Sequence, residues 1–216
     1  MGRKKSKSLK FKMSRNQIAG TILFTFLLCA LGLQFFPQFK ETSSSAVLSG
    51  RTLGDPNAPL RIIEYADFQC QECAKTFLFL HDFIRQNSSE IYLEIRYFPL
   101  QEPHSYDSAL YAECAAQQGR FWYFVELLFR RQAQWRTLPD AEPFYTAAAQ
   151  EAGLNLDQLR MCIKKYDTKV TVEAERLQGE SQSIKTTPTC SINREMTVGY
   201  QSTSERIKEY FHLQGI

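Results

Sequence analysis

Two cysteines separated by two residues, at a predicted junction between strand and helix, constrain this chain most. Branched apolar residues predict a buried strand that ends near Tyr65, and the apolar spacing from Ala74 to Ile84 predicts an amphipathic helix. Cys70 and Cys73 then lie on the first turn of that helix. Unpaired N–H groups and the helix dipole favour a thiolate there. Because the thiolate attacks in disulfide exchange, we predict Cys70 as the nucleophile and Cys73 as the resolving thiol.

The same cysteine spacing also forms half of many zinc sites. Zinc needs two further ligands, which usually come as another close pair. The other cysteines and histidines after residue 36 are instead widely separated: Cys114, Cys162, Cys190, His81, His104 and His212. We therefore predict a redox pair that uses neither a metal nor an organic cofactor.

Basic residues are concentrated at the N-terminus. The segment 1–16 holds seven of the 26 Lys and Arg residues and no acidic residue, which leaves 19 basic against 23 acidic residues in the rest of the chain. The basic character therefore belongs to the tail. Nothing in the remaining sequence favours binding to nucleic acid.

An apolar segment at 17–36 follows the basic tail, and no charge occurs between Arg15 and Lys40. As a helix this segment is about 30 Å long, enough to cross a hydrocarbon core. Because Lys and Arg favour the cytoplasmic side, we expect a single-pass anchor with the N-terminus in the cytoplasm. A linker at 37–50 and an extracytoplasmic domain at 51–216 follow.

A cleaved signal peptide is the alternative interpretation of this segment. Its apolar region is usually shorter, and its cleavage site needs small residues. The end of the segment, Leu33–Pro37, offers none, so we favour the uncleaved anchor. Outside the cytoplasm disulfides form and persist. Cys29, inside the apolar segment, is interpreted as a small hydrophobic residue.

The rest of the chain predicts a β-α-β pattern that is interrupted by helices. The expected elements are a brief edge strand at Ala46–Leu48, a strand at Ile91–Tyr97, a helical block at about 103–179 with one helix over Phe121–Gln134 and an N-cap at Asn155, strands at Cys190–Ile192 and Met196–Tyr200, and a helix at Ser204–Gln214.

This order and its motifs resemble the DsbA-like thiol–disulfide oxidoreductases of the thioredoxin superfamily, in particular their membrane-anchored bacterial type. The resemblance covers about residues 51–214 and implies an α/β, thioredoxin-like fold with a helical insertion. Cys70 and Cys73 match the family's active pair. The motif Gln118–Trp122 matches a turn into a helix of the insertion, where we expect its aromatic residues to pack.

The resemblance also implies roles for three residues outside the cysteine pair. Glu64 matches an acid beneath the disulfide that assists proton transfer, although an ordinary carboxylate at the end of a strand is the alternative. Thr187 and Pro188 match the loop that faces the active site, where the proline is cis and the threonine contacts substrate. A Thr-Pro bond alone is usually trans, so the cis prediction depends on the resemblance.

Four further residues also give rise to predictions. Some relatives have a second cysteine pair where Cys114 and Cys162 lie, which implies a structural disulfide; two separate buried thiols are the alternative. Cys190 stands where the family commonly has Phe, and it is interpreted as a buried small hydrophobe or as a third reactive thiol. Glu72 stands where oxidising relatives often have His, and a nearby carboxylate is expected to raise the pKa of the Cys70 thiol.

These features predict an enzyme that introduces or exchanges disulfides in periplasmic proteins through Cys70 and Cys73. Its expected substrates are extracytoplasmic proteins with cysteines, and the resemblance implies a quinone-linked membrane protein that reoxidises the pair. Two alternatives stay open. One is a reductase or isomerase that receives electrons across the membrane, and the other is a redox-inert binding or chaperone module on the same scaffold.

Overall fold

The computed structural model describes residues 50–100 and 103–215. The predictions for the N-terminal segment lie outside these residues: the basic tail, the anchor, nearly all of the linker, Cys29 and the edge strand at Ala46–Leu48. Within the two described ranges, no helix combines the length and the apolar character that crossing a bilayer requires.

Five strands form one mixed sheet in the order β1-β3-β2-β4-β5. Their bounds are β1 Thr52–Gly54, β2 Leu60–Ala66, β3 Ile91–Tyr97, β4 Thr189–Ile192 and β5 Glu195–Val198. β2 and β3 are parallel, and the other neighbouring strands are antiparallel. Leu60, Ile62 and Ile91 of the central pair are fully buried, as expected for parallel strands that are covered on both faces.

The helices connect these strands in a β-α-β order with an insertion. In the described part of the chain they are α1 Gln71–Gln86, α2 Ser105–Gln117, α3 Phe121–Arg130, α4 Gln132–Trp135, α5 Glu142–Glu151, α6 Leu156–Lys164, α7 Tyr166–Ser181 and α8 Gly199–Gln214. α1 crosses between the parallel strands, and α2 to α7 separate β3 from β4. The predicted thioredoxin-like fold with an inserted helical block is confirmed.

Two predicted helix boundaries are wrong, for different reasons. The helix predicted over Phe121–Gln134 breaks at Arg131, whose backbone, with φ −109° and ψ 18°, departs from the α-helical region and separates α3 from α4. The last helix begins at Gly199, whereas the sequence predicted a start at Ser204. The prediction missed the first turn because that turn is polar and has no apolar pattern. Gly199 has φ +83°, and its N–H donates to the carbonyl of Pro188 at 2.8 Å.

A buried ion cluster links the helical block to the sheet. Arg51 is fully buried, and its two terminal nitrogens each lie 2.7 Å from a carboxylate oxygen of Glu175 in α7. Its Nε lies 3.6 Å from Glu113 of α2, and its Cζ lies 4.3 Å from the centre of the Tyr97 ring. The cluster therefore ties β3 to two helices of the insertion.

A disulfide joins Cys114 of α2 to Cys162 of α6, as the resemblance implied. The two residues are 48 positions apart, and both are buried. The crosslink restricts the unfolded chain, for which loop entropy gives roughly 4 kcal/mol as an upper figure. The disulfide thereby links α2, the first helix of the insertion, to α6.

We expect the double variant Cys114→Ala/Cys162→Ala to lose about 2–4 kcal/mol in the free energy of unfolding, because its unfolded chain is no longer restricted. Urea unfolding of the full-length protein, with Cys70 and Cys73 in the same redox state as in the wild type, measures this difference. An unchanged unfolding midpoint would contradict the stabilising role.

Candidate active site

The loop between β2 and α1 holds the cysteine pair. β2 ends at Ala66, and Cys70 is the N-cap residue of α1. The buried carboxylate of Asp67 accepts hydrogen bonds from the N–H of Gln69 at 2.8 Å, the N–H of Leu100 at 2.9 Å and the hydroxyl of Ser105 at 2.8 Å. These bonds fix the loop that presents Cys70, a role of Asp67 that the sequence analysis missed.

The helical insertion holds the same loop from the other side. The side-chain amide of Gln132 donates to the carbonyls of Phe68 at 2.8 Å and Cys70 at 2.9 Å. The Gln69 side chain in turn donates to the carbonyl of Arg136 at 2.8 Å. Gln132 directly follows the helix break at Arg131, so the break belongs to the structure that holds the active-site loop.

The two thiols of the pair differ sharply in acidity. A hydrogen bond from the Cys73 thiol is the main cause that lowers the pKa of Cys70 to about 6, and hydrogen bonds from Thr187 and from the backbone of Glu72 add to it. Burial raises the pKa of Cys73 well above its ordinary value, and the negative charge on Cys70 raises it further. At neutral pH the arrangement therefore favours a Cys70 thiolate beside a Cys73 thiol.

Alkylation of the reduced protein should report this difference. We expect iodoacetamide to react at Cys70 with a rate that rises through a midpoint near pH 6, because the thiolate fraction grows above that pH. Cys73 should react slowly over the same range. Cys70→Ser should remove the fast phase, and a midpoint near the ordinary value for a thiol, about 8.5, would contradict the assignment.

Glu64 lies on β2, beneath the pair. Its side chain is fully buried, and neither carboxylate oxygen has a hydrogen-bond partner among the described residues. Burial, and then the negative charge on Cys70, raise the pKa of Glu64 to about 8. A carboxyl group that holds its proton at pH 7 and interacts electrostatically with both thiols is suited to proton transfer.

The Thr187–Pro188 loop faces Cys70 from β4. The peptide bond before Pro188 is cis, and the Cys70 sulfur lies 3.4 Å from the carbonyl oxygen of Thr187. The structure thus brings Thr187 and Pro188 to the reactive sulfur, together with Cys73 and Glu64. Contact between Thr187 and substrate stays a prediction.

Glu72 lies on the first turn of α1, two residues after Cys70. Its carboxylate pairs with Lys75 at 2.5 Å on the exposed side of α1, and its backbone N–H contributes to lowering the pKa of Cys70. The neighbouring ammonium offsets the negative charge that was expected to raise the pKa of the thiol. The pair forms because residues three apart on a helix are neighbours. The effect of the Glu72 charge on the pKa of Cys70 stays a prediction.

Cys190 lies in β4 and is fully buried. Burial, and then the charge of Glu64, raise the pKa of its thiol well above the ordinary value. This environment agrees with the interpretation of a buried small residue and offers no thiolate for attack. In the described ranges no group of three or more His, Cys, Asp and Glu residues is arranged to hold a metal ion.

A low-pKa thiol at a helix N-terminus, with a resolving thiol, a buried acid and a facing cis-proline, defines a dithiol–disulfide redox site. The sequence pattern of the thioredoxin family matches residues 47–211, and the chain belongs to this family. Its described fold is that of the DsbA-like thiol–disulfide oxidoreductases.

Two solved structures illustrate the likeness. Wolbachia pipientis alpha-DsbA1 is 21% identical, with a TM-score of 0.66 over 76% of this chain and 90% of that protein. Oxidised BdbD from Bacillus subtilis is 20% identical, with a TM-score of 0.64 over 75% of this chain and 93% of that protein. At these identities the likeness establishes the fold.

The chain is also similar in sequence to part of an antiporter. The Na(+)/H(+) antiporter NhaA 1 of Mycolicibacterium gilvum is 29% identical over 146 residues, which make up 65% of this chain and 22% of that protein. The chain therefore spans about a fifth of the length of this relative. The similarity concerns one part of that protein.

Proposed function

We propose that this protein is a membrane-tethered thiol–disulfide oxidoreductase that donates disulfides to cysteine-containing proteins outside the bacterial cytoplasmic membrane. We infer disulfide donation, and not reduction, from the contrast between the lowered pKa of Cys70 and the raised pKa of Cys73. A stabilised Cys70 thiolate favours the reduced pair. A pair whose reduced form is stabilised is a strong oxidant.

Disulfide donation proceeds in two exchange steps. A substrate thiolate attacks the sulfur of Cys70 in the oxidised pair, and Cys73 leaves and takes the proton of Glu64. A second substrate thiolate then attacks the substrate sulfur of the mixed disulfide, and Cys70 leaves as a thiolate. The substrate loses two electrons, and the cysteine pair gains them.

The sequence supports the tether and the compartment. The segment 17–36 is long and apolar enough to anchor the chain, and the basic residues before it favour a cytoplasmic N-terminus. The Cys114–Cys162 disulfide is consistent with an oxidising compartment. A quinone-linked membrane protein that reoxidises Cys70 and Cys73 completes the proposed cycle.

A donation assay tests the proposal. Full-length protein in mild detergent is oxidised and mixed with an unfolded, reduced peptide that carries two cysteines. We expect about one disulfide to appear in the peptide for each one lost from the protein, and Cys70→Ser should reduce the reaction to background. If the oxidised protein fails to donate but the reduced protein readily opens peptide disulfides, the enzyme is a reductase. If neither occurs, the binding-module alternative replaces the enzyme.

A further inference from the structure

A polar groove of about 350 Å³ opens beside the reactive cysteine. Residues from the start of α1 line it together with a residue that follows α4: Cys70, Gln71, Glu72, Lys75 and Arg136. Two of its three charged residues offset each other, because the Glu72 carboxylate pairs with Lys75 at 2.5 Å. Arg136 therefore gives the groove a net positive charge next to Cys70.

The side chain of Arg136 has no partner within the described ranges 50–100 and 103–215. Its Nε is buried and finds no hydrogen-bond acceptor there, and its guanidinium forms no ion pair with a described residue. Arg131, five positions earlier, instead bonds both carboxylate oxygens of Glu151 at 2.7 Å. An unpaired buried donor is unfavourable, and folded proteins keep such groups chiefly at functional sites. Arg136 is only half-buried, so part of its side chain stays open to an incoming partner.

Hydrogen bonds hold Arg136 at a fixed place relative to Cys70. The side-chain amide of Gln69 donates to the carbonyl of Arg136 at 2.8 Å. At the other end of α4, the Gln132 side chain donates to the carbonyl of Cys70 at 2.9 Å. The N–H of Arg136 donates to the carbonyl of Gln132 at 3.0 Å. Because these bonds tie the loop of Cys70 to both ends of α4, a substrate bonded to Cys70 meets the same cation each time.

We propose that Arg136 selects substrate proteins that carry an aspartate or glutamate beside the cysteine to be oxidised. A carboxylate and a guanidinium form two parallel hydrogen bonds, which makes arginine a specific partner for acidic side chains. The proposal rests on the proposed function and names the class of substrate for that same site. Arg136 is a specificity-determining residue that contacts the substrate and leaves the exchange itself to Cys70 and Cys73.

The same contact helps such a substrate to react. A neighbouring carboxylate raises the pKa of a thiol and so lowers the fraction of thiolate that can attack the Cys70 sulfur. Pairing with Arg136 offsets the charge of this carboxylate in the groove. The groups that lower the pKa of Cys70 itself are Cys73, Thr187 and the backbone of Glu72. The loss of Arg136 should therefore change the choice of substrate and leave the pKa of Cys70 close to its wild-type value.

Rates of disulfide donation to matched peptides test the selection. Oxidised full-length protein in mild detergent is mixed with reduced two-cysteine peptides that differ only beside the first cysteine, where they carry Glu, Gln or Lys. Each rate is divided by that of the same peptide with a small disulfide reagent, which corrects for the reactivity of the peptide thiol. We expect the Glu peptide to react about fivefold faster than the Gln peptide, as for a partly exposed ion pair, and the Lys peptide to react slowest. The preference should shrink in 1 M salt.

Variants of Arg136 make the result specific. Arg136→Gln should abolish the preference but keep the rate with the Gln peptide and the alkylation midpoint of Cys70, and Arg136→Lys should keep part of the preference. Arg160→Gln is the matched control, because it removes an exposed arginine of the insertion that lies outside the groove, and it should keep the full preference.

Two results would overturn the selection. One is an equal corrected rate for all three peptides with wild-type protein, which leaves the proposed function standing. The other is equal slowing of all three peptides in Arg136→Gln together with a raised alkylation midpoint, which would show that Arg136 acts on the Cys70 thiolate and not on the substrate. Failure to oxidise any of the peptides would instead refute the proposed function, and the selection with it.

Discussion

Substrate proteins are expected to accumulate on Cys70 as mixed disulfides when Cys73 is replaced by alanine. In wild-type protein the buried Cys73 thiol lies within hydrogen-bonding reach of Cys70 and can attack a mixed disulfide that forms there. Cys73→Ala removes this resolving group together with the hydrogen bond that contributes most to lowering the pKa of Cys70, but the hydrogen bonds from the backbone of the first helical turn and from Thr187 remain to stabilise the thiolate. Cys70→Ser removes the thiolate itself, so disulfide donation should fall to background. These are the largest changes in activity that we expect from single substitutions.

Non-reducing electrophoresis followed by peptide mapping measures the trapped species. The variant Cys70→Ser/Cys73→Ala is the control, and it should form no adducts even though Cys190 is still present. This control matters because Cys190 is a third free thiol among the described residues. Adducts that map to Cys73 in Cys70→Ser, and none to Cys70 in Cys73→Ala, would reverse the assignment.

Replacing Glu64 with glutamine is expected to stabilise the reduced protein increasingly as pH rises. In the unfolded chain the carboxyl group loses its proton near its ordinary pKa of 4.5, but in the folded protein it keeps the proton up to a pKa of about 8. Between these values the folded state binds more protons, so its stability falls as pH rises, by about 1.4 kcal/mol per pH unit. Glutamine has the same shape and does not ionise.

The difference in the free energy of unfolding between Glu64→Gln and wild type should therefore be small near pH 4 and reach about 3 kcal/mol at pH 7. Urea unfolding at several pH values, with the cysteines kept reduced, measures this difference. The same variant should slow disulfide exchange, because the amide cannot give a proton to Cys73. A difference that does not change with pH would show that Glu64 ionises normally in the folded protein.

Local sequence signals predicted the parts of the site that depend on neighbouring residues. The apolar pattern predicted β2 and α1, and the junction of these two elements carries Cys70 and Cys73. The N-cap at Asn155 is another local signal, and its side chain accepts from the backbone of Gln158 at 2.9 Å. The resemblance supplied the cis bond at Pro188 and the cysteine pairing, which spacing alone left open.

The supports of the site were not predictable, because they join residues that are distant in sequence. Gln132 bonds the carbonyl of Cys70, 62 positions away, after a helix break that its own sequence does not signal. Asp67 receives the hydroxyl of Ser105 from 38 positions away. The short strand β1 and its neighbour Arg51 carry too few residues for a recognisable pattern, although Arg51 organises the buried ion cluster.

The reduction potential of the Cys70–Cys73 pair tests the central claim most directly. It is measured on the full-length protein by equilibration with glutathione buffers and alkylation of the thiols. Because the Cys70 thiolate is stabilised and Cys73 is not, we predict a potential clearly less negative than that of thioredoxin, about −270 mV, with each 30 mV corresponding to about 1.4 kcal/mol. A potential at or below −270 mV would contradict an enzyme that donates disulfides and would favour a reductase.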